Sequence, residues 1–251
     1  MKNKSVLLLL LFVSLLAPSC SILPDINLNI DTITPSGNII SEERAVSGFT
    51  AIDIRTFGRV NLAQGETETL KLEGSDNLVE LVKTRVQNGV LTIEMQEGIN
   101  VLNVNLEDLL TFTITVKDLA GVSISGLADV RIPTLFTSKL EINVSGAGQF
   151  HLDQLQAESV QINLSGLGNI ELAGEVSREA IEISGSGQVS AADLKCQNAD
   201  ITIPGLGGAT VWVTEQLSGN ISGGGNVSYY GNPETDLETS GIGQFKSLGN
   251  K

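Results

Sequence analysis

The sequence predicts an all-β protein, a parallel β-helix (β-solenoid) with about 18–20 residues per coil. Three observations predict it. Glycine is abundant, at 27 residues of 251, while the chain carries only 10 aromatics (7 Phe, 2 Tyr and 1 Trp). A motif of the form Ser-Gly-x-Gly, departed from at Ala128 and Pro204, recurs over seven copies with first glycines Gly126, Gly146, Gly166, Gly185, Gly205, Gly223 and Gly241, in steps of 20, 20, 19, 20, 18 and 18 residues. A fixed period of this length marks units that bury their apolar side only against neighbours. Around each motif, apolar and β-branched residues alternate with polar ones, which is the period of a strand and not of a helix.

The N-terminus reads as a targeting segment. Lys2 and Lys4 precede an apolar run from Val6 to Leu16, too short for a membrane span and suited to the core of a signal peptide. Leu16-Ala17-Pro18-Ser19-Cys20 resembles a bacterial lipobox, with Ala17 in the place usually held by Leu. That resemblance implies a signal peptide at 1–19 and a lipid anchor to the membrane on Cys20. Ordinary cleavage after the small residues Ala17 and Ser19 gives a secreted or periplasmic chain instead, and a retained N-terminal anchor is a further alternative. Residues 20–43, with Pro24, Pro35 and Gly37, read as a lipidated Cys and a tether. With Cys20 lipidated, Cys196 has no partner for a disulfide.

Residues 44–115 read as a degenerate N-terminal part of the solenoid. Ile52 and Ile54 precede Gly58, Val60 and Leu62 follow it, and Leu70 and Leu72 precede Gly74. Thr84 to Ile93 predicts a hairpin turning at Asn88-Gly89. Glu97 to Leu110 breaks the pattern, with a short helix or loop at Leu106–Leu110 and any seam between two solenoid pieces near 97–115. Phe112, Ile114 and Val116 resume the alternation.

Residues 116–251 carry the regular repeats. Positions four and two before the first glycine, and four and six after it, form inward columns, as in Ile142, Val144, Phe150 and Leu152. Leu135, Leu155 and Leu194 mark a third inward position. Each coil is therefore strand, glycine corner, strand, corner and return, with right-handed winding as the default for parallel crossovers. The corner glycines (Gly126, Gly146, Gly148, Gly166, Gly168, Gly185, Gly187, Gly205, Gly207, Gly223, Gly225, Gly241 and Gly243) serve either a left-handed backbone or a close approach of the next coil.

The chain resembles the DUF2807 family, the auto-transporter adhesin, head GIN domain family. Ser47-Gly48-Phe49-Thr50-Ala51-Ile52, the run from Lys83 to Ile93, and the serial Ser-Gly-x-Gly segments carry the resemblance from Arg44 to Phe245. It implies a β-helical fold on bacterial envelope or secreted proteins, and it supplies no catalytic or ligand residues. Pro204 in place of the repeat serine is a local departure.

Several function classes fall away. The net charge of −14 argues against nucleic acid, and a single His leaves little for a His-based metal centre or triad. The glycines lie between two strands, which does not fit a phosphate loop. Three residues after the first glycine stand Asp129, Gln149, Asn169, Gln188, Gly208, Asn226 and Gln244. One carboxylate in seven does not make a calcium roll, so no cofactor or metal is expected, and the column reads as a polar ladder along the stack. Asp129, Asp153, Glu171, Asp193 and Asp200 scatter over different register positions. His151 is expected to point outward and Cys196 inward. Trp212 and Tyr230 follow inward positions and are expected on the outer face, as a possible binding surface for glycan or protein.

The expected function is a non-catalytic, lipid-anchored envelope protein, most readily of the outer membrane, whose adhesin-like surface binds glycan, protein or its own copies. A polysaccharide-processing enzyme is the alternative. It requires two carboxylates within roughly 10 Å in one groove. An accessory lipoprotein of an envelope sensing or transport system is a third.

Overall fold

The computed structural model describes residues 31–102 and 110–251. The expected signal peptide, Cys20 and the loop or helix at Leu106–Leu109 lie outside the described residues. Among those described, the one helix is the short turn Asp76–Val79, and no helix is long and apolar enough to cross a membrane.

The β-solenoid is as the repeat predicts, and the register is the one read from the glycines. On the first wall Val122 pairs with Ile142, then Ile162, Ile181, Ile201, Gly219 and Leu237. On the second wall Val130 pairs with Phe150, then Ile170, Val189, Ala209, Val227 and Phe245. All of these pairings are parallel. The inward columns form one continuous apolar core, in which Ile142, Phe150, Ile162 and Ile170 have no exposed surface. Strand hydrogen bonds running along the stack satisfy the backbone between coils, so side chains need only fill the lumen.

The corner glycines are explained by close approach. None of the thirteen has a positive φ. A Cβ on Gly166 would lie 2.1 Å from the Gly146 carbonyl oxygen, and one on Gly185 would lie 2.2 Å from that of Gly166. At the first glycine of every corner backbone lies directly on backbone, and any side chain there would push two coils apart. Gly174 is different, with φ +128 and a Cβ position 2.0 Å from the Leu155 carbonyl oxygen. It pairs with Leu155 and Leu194, and so takes the third inward position in its coil.

The N-terminal part departs from the expected coil grammar in three ways. First, the strands Ala51–Arg55 and Phe57–Gln64 are the first coil of the same stack, pairing directly with Gly121–Ile124 and Leu127–Ile132. The registration places Gly58 beside Ala128, so Gly58 belongs to the second glycine column and Thr56 stands beneath Gly126. The stack is thus continuous, and the chain between Gln64 and Gly121 is an excursion that returns to where it left.

Second, Leu70 and Leu72 do not start a coil. Thr69–Ser75 runs antiparallel to Thr111–Val116 and to Ile39–Arg44, closing the end of the second wall. Third, part of the expected tether is structured, because Ile39–Arg44 belongs to this sheet and Asp31–Ile33 pairs with Ile99–Val101. The strands Val82–Gln87 and Val90–Met95 form the expected hairpin, with Asn88 and Gly89 at φ 52 and 77. That hairpin pairs with Ala51–Arg55 and closes the first wall. Leu70, Leu72, Leu78, Val79 and Val82 are buried in this cap.

Candidate functional site

Residues one period apart become neighbours in this fold, so its outer faces are columns of stacked side chains. The fourth column after the glycine corner on the third side holds Glu175, Lys195, Trp212 and Tyr230 in sequential pairing. Lys195 Nζ lies 3.1 Å from Glu175 Oε1. Trp212 and Tyr230 are half-buried and lie on adjacent coils. The chain returns across them: Lys251 Nζ stands 5.2 Å from the Trp212 ring centre and 5.5 Å from that of Tyr230. The same ammonium pairs with Asp193 and donates to the Ala192 carbonyl. Aromatic faces attract cations through the ring quadrupole. The sequence places the two aromatics on the outside, but it gives no sign that a lysine covers them.

The second wall carries the chain's single imidazole. His151 Nδ1 is 3.1 Å from Glu171 Oε2, and Nε2 is 3.9 Å from Asp129 Oδ1. Asp129 is held by Arg131, whose Nη2 is 3.0 Å away and whose guanidinium it pushes up in pKa. Two carboxylates come together here, where the sequence leads one to expect scattered register positions. The signal was present, since Glu171 follows His151 by one period of 20 residues. They sit on opposite sides of the ring, so they do not converge on one ion or one bond. Among the described residues no group of three or more metal-ligating side chains is assembled.

The column Asp129, Gln149, Asn169, Gln188, Gly208, Asn226 and Gln244 pairs in register along the second wall. Its cross-coil side-chain bond is from the Gln244 backbone N–H to Asn226 Oδ1, at 3.2 Å. An amide-to-amide bond stands on the first wall, where Asn163 Nδ2 donates to Asn143 Oδ1 at 2.7 Å and Asn143 donates to Glu141 at 3.0 Å. A depression of about 530 Å³ at the start of the stack is lined by Phe57, Met95, Ile99, Val101 and Leu127, with Arg55 and Thr56 at its side.

One inward position breaks the core's pattern. Glu179 lies between Val160 and Ala199 and is 2% exposed. Both carboxyl oxygens lack a hydrogen-bond partner among the described residues, and the buried Cys196 thiol is beside it. Desolvation pushes the Glu179 carboxyl up to about 8, and burial together with Glu179 pushes the thiol up. Cys196 therefore stays protonated and inert.

A parallel stack of coils with polar outer columns and shallow depressions places the chain in the class of β-solenoids. More particularly, the chain belongs to the DUF2807 family, described as "Putative auto-transporter adhesin, head GIN domain", whose model matches residues 48–233. The family places it among bacterial surface or envelope proteins. Among solved structures it is similar to a "putative adhesin" from Bacteroides fragilis, with 28% identity, a TM-score of 0.82, and 86% of this chain and 100% of the other covered. A "putative adhesin" from Parabacteroides merdae shares the fold at 22% identity and TM-score 0.68, covering 87% and 99% of the two chains. A "Putative lipid binding protein" from Parabacteroides distasonis does so at 22% and 0.69, covering 87% and 100%. No protein of curated function matches the chain.

Proposed function

We propose that the protein is a non-catalytic envelope lipoprotein that holds its solenoid outside the membrane as a binding surface for glycan or envelope protein. The observation that carries this reading is the Trp212–Tyr230 pair, two half-buried aromatics in register on an otherwise polar face. Aromatic rings on a rigid sheet stack on sugar rings or on a partner's side chains at little entropic cost. Lys251 covers these rings, so a ligand competes with its ammonium. The group Asp129, His151 and Glu171 is poorly arranged for the enzyme alternative, because its carboxylates stand on opposite sides of the imidazole. Anchoring through Cys20, and an outer-membrane location, complete the proposal.

A glycan and envelope-protein binding screen tests it. Trp212→Ala and Tyr230→Ala are expected to weaken any binding detected by tenfold or more, and Lys251→Ala, which uncovers the rings, to strengthen it. Binding unchanged in all three variants rejects the aromatic face. For the anchor, Cys20→Ala is expected to move the protein from the membrane to the soluble fraction.

A further inference from the structure

The residue after the first glycine of each corner projects outward, and these residues stack into a ridge along the solenoid. Four of them are large and exposed: Leu127 at 60%, Leu167 at 65%, Leu206 at 70% and Ile242 at 92%. The three between them are small: Ala147, Ser186 and Gly224. Large and small alternate along these seven positions, and the alternation ends at the first coil, where Phe57 stacks on Leu127. The glycine corners fix the ridge, because backbone-on-backbone contact leaves no room for the coils to slide. At Gly224 a Cβ would lie 3.0 Å from Leu206 Cδ2 and 3.4 Å from Ile242 Cγ1, so the two knobs lean over this position and turn aside when a partner's side chain enters.

We propose that this ridge is a self-complementary interface through which two copies of the chain pair antiparallel, the knobs of one seated in the notches of the other. The alternation decides both occupant and direction. A parallel two-fold pairing sets each position against itself, large on large and small on small. An antiparallel pairing centred between Ser186 and Leu206 sets Leu206 against Ser186, Leu167 against Gly224 and Ile242 against Ala147. All three notches are then filled by three of the four knobs. The fourth, Leu127, lies over the apolar depression formed with Phe57, Met95, Ile99 and Val101.

A strip of seven coils is roughly 29 Å long at the usual strand spacing, and about five residues wide, or about 15 Å. Its flat area, on the order of 450 Å² per copy before corrugation, sits at the low end of specific interfaces. The dimer is therefore weak and reversible, and is favoured when both copies are held on one surface. The ridge is separate from the Trp212–Tyr230 column, so the two proposals fail independently.

Sedimentation equilibrium of the chain carrying Cys20→Ala tests the pairing. A monomer–dimer equilibrium is expected, abolished by Leu206→Asp with thermal stability retained. Ser186→Leu is the sharper variant. It fills the central notch and should weaken the dimer at least tenfold, whereas mere apolar stickiness would strengthen association. Oxidation of the double variant Ala147→Cys/Ile242→Cys should give a covalent dimer, and neither single variant should. Within one copy these positions are five coils, or about 24 Å, apart, far beyond disulfide reach. A strict monomer, a ridge that binds lipid vesicles without dimerising, or a Ser186→Leu variant that associates more strongly overturns the proposal.

Discussion

The two ends of the stack solve the same problem unequally. At the N-terminal end, the antiparallel strands Ile39–Arg44 and Thr69–Ser75 and the hairpin Val82–Met95 cover the lumen, and Leu70, Leu72, Leu78 and Val82 are fully enclosed. At the other end, the strands Glu234–Thr239 and Gln244–Ser247 pair on one side, and their inward residues Leu237 and Phe245 are half-buried. In a solenoid each coil contributes through its neighbours. A coil with two neighbours is held by both, and a coil with one is the first to open.

The corner glycines break this comparison most forcefully. Gly166→Ala lies mid-stack, with its new Cβ 2.1 Å from a carbonyl oxygen, and neither adjacent coil can yield. The expected loss exceeds about 4 kcal/mol, the range of severe single substitutions, and is read as failure to fold or a collapse in Tm. Gly241→Ala makes a contact as close, at 1.9 Å, but in the terminal coil. Its expected result is local, with faster amide exchange over residues 234–247 and a global Tm that moves little. Equal loss at both sites would show that the stack unfolds as one indivisible unit. The cap gives the next largest effect. Leu72→Ala empties an enclosed site and should cost about 2–5 kcal/mol in urea unfolding, while Leu237→Ala at the open end should cost well under half as much.

The regular coils were legible because every level of the sequence agrees there. In the segment from Ile142 to Leu152, alternation, β-branching and glycine spacing all specify one register, and the pairing follows it. The cap was not legible for a physical reason. Thr69–Ser75 alternates as any half-buried strand does, and alternation says nothing about direction, so an antiparallel lid and a parallel coil look alike. Ile39–Arg44 is short and polar on its exposed face, which is what a strand covering an edge and a linker share. The outer columns were half legible. Trp212 and Tyr230 follow from one-residue offsets, while Asn143–Asn163 and His151–Glu171 needed the same period applied to polar residues. Lys251 over the aromatics depends on how the chain turns back, and no periodicity records that.

A pH effect sharpens the comparison inside the stack, where one coil differs from those around it. Glu179 occupies a column otherwise filled by Leu140, Val160, Ala199 and Leu217. Its carboxyl is raised from 4.5 to about 8 in the folded chain, chiefly by desolvation. Between those values the folded chain holds a proton that the unfolded chain has released, so stability is full below pH 4.5 and falls as pH rises to 8. Asp76 acts in the opposite direction and in a separate window. Hydrogen bonds from Ser36, Asn38 and the Asn77 backbone lower its pKa from 3.8, so its contribution is lost only in stronger acid. The Glu179 loss across its window is on the order of 4 kcal/mol, since each pKa unit is worth about 1.4 kcal/mol. Urea unfolding at pH 5 and pH 8 measures it. Glu179→Gln should remove the part of the pH slope due to this residue, and Glu179→Val, matching its neighbour Val160, should leave the chain more stable than wild type at pH 8. The same slope in wild type and Glu179→Gln would mean that water reaches the carboxyl and that the lumen is open at this coil.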